Sequence, residues 1–547
     1  MRAIDRLRDA DAVARLLAHD ATLFSDEDAV REKVANRLGW TDLSTQAEAD
    51  LPVLLQLADE FADGATDVLL LGMGGSSLAP IVMQRVIGKT PGRPELHVLD
   101  TTSPVRLAPL LEELEPATTR VVIASKSGGT IEPMSLYAIV RAWLERSLSH
   151  TEAGSRCLAI TDPGTSLEAL AARDAMRAVV NAPPTVGGRY SAMSVFGLLP
   201  AALLGIDLAE FVYRTRAMEL RCGAPADDNP AALLAAWIAD AHAAGHDKLT
   251  LVSSEIYGPL GLWVEQLVAE SLGKEGIGVV PVIEYDTPDP AGFDEDRAVV
   301  ATQLTGDESL ALWAHGASGT HAVFDLMVAD VYDLGAQFVL WEYATALAGY
   351  LLGINPFDEP AVTEAKEATT AILRGESDAP AADAEVASTS VTYAGGLTIP
   401  GIPPTTRIEA LRAAVDSAQP GDYLVLLVYA PDDGARFDPL RKAAGAVSRA
   451  TRRAVCLELG PRYLHSTGQL HKGGPNTGVF VLVTARDATD IEVPGADYTL
   501  AALHRAQAEG DLVTLARHGR RVMRLDLADS SAETLAALAA DLVAAAG

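Results

Sequence analysis

An α/β fold with mainly parallel sheets is predicted by three observations. Short apolar runs alternate with helical patterns along most of the chain. Several of these runs break directly into turns of glycine and serine that open a helix, which is how a βα unit reads in sequence. Composition then shifts at 375–390, where "GESDAPAADAEVASTS" is rich in Ala, Asp and Ser without an apolar period, so a smaller unit follows two larger ones.

Taken in order, residues 1–64 read as an N-terminal helical segment. "DVLLLG" (67–72), "LHVLD" (96–100), "VVIAS" (121–125) and "RCLAI" (156–160) read as buried strands of a first unit spanning 65–206. Helical patterns across 207–244 lead to a strand at "KLTLVSS" (248–254) and helices near 259–272, 336–352 and 360–374, which make a second unit, 207–375. The stretch 376–395 is expected to be a linker. In the third unit, 396–547, "DYLVLLVYA" (422–430), "RAVCLEL" (453–459) and "GVFVLVTA" (478–485) are the strands. No repeat of 20–50 residues is visible.

Composition excludes several classes of partner. At 547 residues with 49% hydrophobic content the chain can bury real cores, and its formal charge of −31 argues against nucleic acid or an anionic membrane across the whole surface. Cys157, Cys222 and Cys456 lie far apart without a CxxC, so neither a disulfide framework nor a thiol metal site is expected. The N-terminus is charged throughout and no run of about 20 apolar residues occurs, so a cytoplasmic protein is expected.

Two glycine-rich turns carry the chemistry. "LGMGGSSLAP" (71–80) starts like a dinucleotide fingerprint at Gly72 and Gly74, but Ser77 stands where the third glycine belongs and Asp100 is too distant. "GKT" (88–90) is no phosphate loop either, since no strand precedes it. The second turn lies in "VVIASKSGGTIEP" (121–133). Amides at a helix N-terminus attract anions, glycine permits close approach, and Ser76, Ser125, Ser127 and Thr130 add hydroxyl donors. The pair suits a phosphate monoester held without metal; the plainer alternative is that the serines only cap helices.

These turns, with "GGRYS" (187–191), "WVEQLVAESLGKEG" (263–276) and "GYLLGINPFDEPAVTEAK" (349–366), resemble the phosphoglucose isomerase family over roughly 65–375. "RYLHSTGQLHKGGPNTGVF" (462–480) is similar to the isomerase half of fused transaldolase–phosphoglucose isomerases. The resemblance implies two sugar isomerase (SIS) units of α/β/α sandwich type plus a smaller C-terminal α/β unit. It implies interconversion of glucose 6-phosphate and fructose 6-phosphate through an enediolate. Glu270 is then the base, in a helix whose apolar neighbours would raise its pKa, with Gln266 one turn earlier on the same face. Arg189 would stabilise the enediolate and Lys366 would assist ring opening. Gly74, Gly75, Ser76, Ser125, Lys126, Ser127, Thr130, Gly188 and Gln266 would bind the substrate.

The family's ring-opening histidine, expected twenty to thirty residues beyond the base, is missing from "DTPDPAGFDEDR" (286–297). His471 is the substitute favoured here, from a loop-like stretch that also contains His465. Metal spacings such as HExxH are absent, so no metal and no cofactor is expected. The expected partner is a small-molecule sugar phosphate, with a homodimer possible. Alternatives are an isomerase that also accepts mannose 6-phosphate, and a non-catalytic SIS protein that senses sugar phosphates.

Overall fold

The structure is a computed structural model that describes residues 2–377, 380–386, 388–397 and 403–547. Its first sheet contains β1 (Asp67–Leu71), β2 (Glu95–Leu99), β3 (Thr119–Ala124), β4 (Cys157–Thr161) and β5 (Ala178–Asn181), all parallel in the order β2-β1-β3-β4-β5. β3 is buried at every position, as a central strand covered on both faces requires. The second sheet contains β6 (Lys248–Ser253), β7 (Val280–Ile283), β8 (Arg297–Leu304) and β9 (Ala322–Val328), parallel in the order β7-β6-β8-β9.

The third sheet combines β10 (Ala384–Val386), β11 (Thr389–Gly395), β12 (Tyr423–Val428), β13 (Val455–Leu459), β14 (Gly478–Ala485) and β15 (Arg521–Leu527). Its order is β10-β11-β15-β14-β12-β13, with β12 to β15 parallel and β10 and β11 antiparallel at one edge. The stretch expected as a linker is therefore partly strand. Residues 378, 379 and 387 of it lie outside the described residues, as do 398–402 at the start of the expected third unit and residue 1 of the helical segment. Val386, Val391 and Tyr393 are buried against the third sheet's core, an alternation hidden in sequence by the surrounding Ala, Asp and Ser.

Packing fixes how the units meet. A large core joins the N-terminal helices, one face of the first sheet and the helix Leu334–Leu352, which is buried almost all round. The third unit has its own core around Val428, Leu440 and Leu525. A separate cluster joins Ala269, Val280 and Val282 of the second unit to Tyr423, Leu470 and Leu482 of the third. The third unit thereby presses on the helix Leu260–Leu272, which carries Glu270. Among the described residues, no helix is long and apolar enough to cross a membrane.

Candidate active site

Each glycine-rich turn begins where a strand of the first sheet ends. β1 runs into the short turn Gly74–Ser76 and then the helix Leu78–Val86. Gly74 has φ +54°, and a Cβ there would lie 2.8 Å from Gln266 Nε2 and 2.9 Å from the His465 carbonyl oxygen. At Gly75 a Cβ would lie 1.9 Å from the Gly188 carbonyl oxygen, so both glycines are needed for close approach of backbones. β3 runs through Ser125–Thr130 into the helix Ile131–Glu145, where Ser125 Oγ lies 3.0 Å and Ser127 Oγ 3.4 Å from Thr130 Oγ1. These three hydroxyls sit together at the positive end of a four-turn helix. Lys126 behaves differently: its ammonium donates to Asp162 Oδ2 at 2.6 Å.

Opposite this loop stands the helix Leu260–Leu272 with every residue but Leu262 buried. Gln266 Nε2 donates to Glu270 Oε2 at 3.2 Å and to the His465 carbonyl at 2.7 Å. Arg189 lies 3.2 Å from Glu270 Oε1 and 3.1 Å from Glu359 Oε2. Its guanidinium is fixed by Ser271 Oγ at 2.8 Å and the Pro356 carbonyl at 2.7 Å. Burial pushes the Glu270 carboxyl above the usual carboxylate range and Glu359 adds to that, while Arg189 holds it down; the net shift is upward. Burial also works against the charge of Arg189, but Glu270 and Glu359 outweigh it. Lys274, buried beside Asp358 Oδ1 at 2.8 Å, is pushed down to about 8, chiefly by burial.

A cavity of about 310 Å³ lies between the two sides. It is lined by Gly74, Gly75 and Ser76 of the first turn and by Ser125, Lys126, Ser127 and Thr130 of the second. Gly188, Arg189, Gln266, Glu270 and Lys366 complete the wall, so the structure brings together every expected site residue except His471.

His471 does not line this cavity. It is 2% exposed in the third unit's side of the interface core, with its ring 5.0 Å from Phe480 and 6.0 Å from Tyr463. Burial, reinforced by Lys472 and Arg520, holds its pKa well below the usual histidine value, which keeps it uncharged. The histidine that lines the cavity is His465. Its Nε2 lies 2.8 Å from Glu132 Oε1, which also accepts from Gln507 Nε2 at 2.7 Å. Burial alone would raise the Glu132 pKa, but His465 makes the net shift downward, so this carboxylate stays charged beside the ring. The spacing of the two histidines in "HSTGQLHKGG" offers no means of choosing between them. What separates them is that His465 lies in the turn Arg462–His465, whereas His471 lies in the helix Gly468–Gly473.

The site thus sets hydroxyl-bearing helix N-termini of the first parallel sheet on one side of a cavity and a buried carboxylate from a helix of the second unit on the other, within a mixed α/β fold. Residues 58–286 match the family model described as phosphoglucose isomerase. A glucose-6-phosphate isomerase of Rubrobacter xylanophilus is 29% identical over 371 residues, 59% of this chain and 86% of that protein. One from Heliobacterium modesticaldum is 28% identical over 395 residues, 61% of this chain and 87% of its own length. Among solved structures, a hypothetical protein from Thermus thermophilus superposes with a TM-score of 0.57 at 26% identity, covering 68% of this chain and 96% of that one. A glucose-6-phosphate isomerase from Chlamydia trachomatis gives 0.53 at 19% identity, covering 66% of this chain and 79% of that one, a likeness of fold.

Proposed function

We propose that this chain interconverts D-glucose 6-phosphate and D-fructose 6-phosphate as a glucose-6-phosphate isomerase of the cytoplasm. One observation carries the reading: a buried carboxylate, Glu270, held between Gln266 and Arg189, faces a hydroxyl-lined helix N-terminus across a cavity of about 310 Å³. The Ser125, Ser127 and Thr130 hydroxyls take the phosphate dianion, and the glycines of the first turn let the sugar approach the backbone. Glu270, with its raised proton affinity, removes the C2 proton of the open-chain aldose and returns it to C1. Arg189 balances the negative charge of the enediolate and cannot compete as an acid.

Ring opening needs an acid for the ring oxygen and a base for the O1 hydroxyl. His465 takes this role, not His471: it lines the cavity and is oriented by the Glu132 carboxylate. Lys366 lines the same cavity and assists. The test is a coupled assay of the purified chain on glucose, mannose and glucosamine 6-phosphates without added metal or cofactor. Turnover of glucose 6-phosphate is expected, and its absence would overturn the reading; turnover of mannose 6-phosphate would broaden it.

A further inference from the structure

A second cavity is larger than the one that holds Glu270. It measures about 700 Å³ and opens where the carboxyl ends of β6 and β7 face those of β12 and β13. In open parallel sheets, ligands bind in crevices outside the carboxyl ends of strands. Its walls include Ser254 and Tyr285 from the second unit, Asp432 and Glu458 from the third, and Glu265 from the helix that also carries Glu270.

Two of these groups are left unanswered by the protein. Glu265 is 8% exposed and, among the described residues, has no hydrogen-bond partner; Glu458, 3% exposed, faces the same space. The Thr467 hydroxyl lies near Glu458 without completing a hydrogen bond. Two buried carboxyls with free acceptor positions in a cavity call for a ligand that offers adjacent donors.

Their place in the fold says which donors. β12 and β13 are the first two parallel strands of a βαβ unit linked by the helix Gly434–Thr451, and Glu458 stands near the end of the second. Two neighbouring carboxyls at the carboxyl ends of parallel strands can accept from the adjacent hydroxyls of a ribose diol. The first βα turn, however, reads "APDDGAR" and has no glycine-rich phosphate loop. Asp433 caps the helix N-terminus by accepting from the Arg436 amide at 3.0 Å, and Asp432 accepts from Arg462 at 3.0 Å. Carboxylates therefore occupy the place where a phosphate would bind. Beside them the Arg441 guanidinium lies 5.4 Å from the Tyr285 ring centroid and 5.8 Å from that of Phe437, a cation–π stack that a base can pack against.

We propose that this second cavity is a nucleoside site, in which Glu458 and Glu265 take the ribose hydroxyls and the base packs on the Tyr285–Arg441–Phe437 stack. The 5′ position carries no phosphate. The site shares a wall with the candidate active site: Arg462, Tyr463 and Ser466 line the larger cavity while His465, between them, lines the smaller. A bound nucleoside is thus an effector of the isomerase, a role that rests on the function proposed above, whereas the binding does not.

Calorimetry of the full chain with adenosine, guanosine, cytidine and uridine tests binding without any assay of activity. At least one should saturate, its 2′,3′-dideoxy counterpart should bind about tenfold more weakly or worse, and its 5′-monophosphate should bind more weakly than the nucleoside. Glu458→Gln should lose about tenfold in affinity while keeping its melting temperature and its isomerase activity; should it fail to fold, Glu265→Gln serves for the affinity measurement. Saturation by none of the four, or equal binding of the dideoxy compound, overturns the site. Tighter binding of the monophosphate overturns the assignment of a phosphate-free ligand. Saturating nucleoside should change kcat/KM by about twofold or more, and identical kinetics would overturn the effector role alone.

Discussion

The two walls of the candidate active site differ in how they are built. The first and second units supply theirs from contiguous motifs: Ser125–Thr130 follows one strand, and Gln266 and Glu270 lie on one helix. The third unit supplies His465 from a short turn whose orientation depends on distant partners, Glu132 and Gln507 at the ring and Gln266 at the backbone. One wall is made by local spacing and the other by packing between units. Substitutions on the two sides should therefore fail in different ways.

The largest effect is expected on the base side. Glu270→Gln keeps the shape and the contact with Gln266 but removes the proton acceptor, so kcat should fall about 10²–10⁴-fold while fructose 6-phosphate still binds. Near-normal turnover in that variant would remove Glu270 from the mechanism.

Next come the two histidines, which set the walls against each other most directly. His465→Gln should slow glucose 6-phosphate on the order of 10²-fold and erythrose 4-phosphate little, because the latter carries its phosphate on O4 and cannot close a ring. His471→Gln should leave both reactions near normal and lower the melting temperature, at a cost of about 1–3 kcal/mol for disturbing a packed aromatic contact. If His471→Gln lost glucose 6-phosphate turnover selectively while His465→Gln did not, the two assignments would have to be exchanged.

A smaller loss is expected at the phosphate loop. Thr130→Val with Ser127→Ala removes two hydroxyls beside Ser125, at about 1.5–3 kcal/mol per hydrogen bond to a charged group. Fructose 6-phosphate affinity measured by calorimetry should fall with kcat less affected, and inorganic phosphate should lose its competition. Unchanged affinity would leave the loop as a turn and helix cap.

Legibility in the sequence follows the same division. Strands buried on both faces, such as β1, β3 and β14, are plain because nearly every residue is apolar. β5 escapes a sequence reading because it is short, with three half-buried residues and an exposed Asn181, and β9 because Asp325 and exposed Met327 interrupt its apolar run. β8 opens with Arg297, fully buried because it pairs with Glu284 and donates to Thr250 and Ser448, partners that no local pattern announces. In the site, the hydroxyl loop and the Gln266–Glu270 pair follow from spacing within one element. That His465 and not His471 lines the cavity depends on which turn reaches Gly74, and this follows from packing of the third unit on the helix Leu260–Leu272.

The smallest expected effect sharpens the account of how the first wall sets its proton affinity. The Glu270 pKa is raised, first by burial and then by Glu359, with Arg189, Lys274 and His465 opposing. As the proposed base, Glu270 can accept the C2 proton only when ionised, so kcat/KM should fall as pH drops through this raised value. Glu359→Gln keeps the side chain's length but removes the carboxylate that lies 3.1 Å from Arg189. Without that negative charge the ionised form of Glu270 becomes easier to hold, and Arg189 is left to it alone. The acid limb of the pH profile should then move to lower pH, with a modest change at the plateau. A limb that stays in place would show that burial alone sets the affinity, and a limb that moves upward would mean that Glu359 instead holds Arg189 against the base.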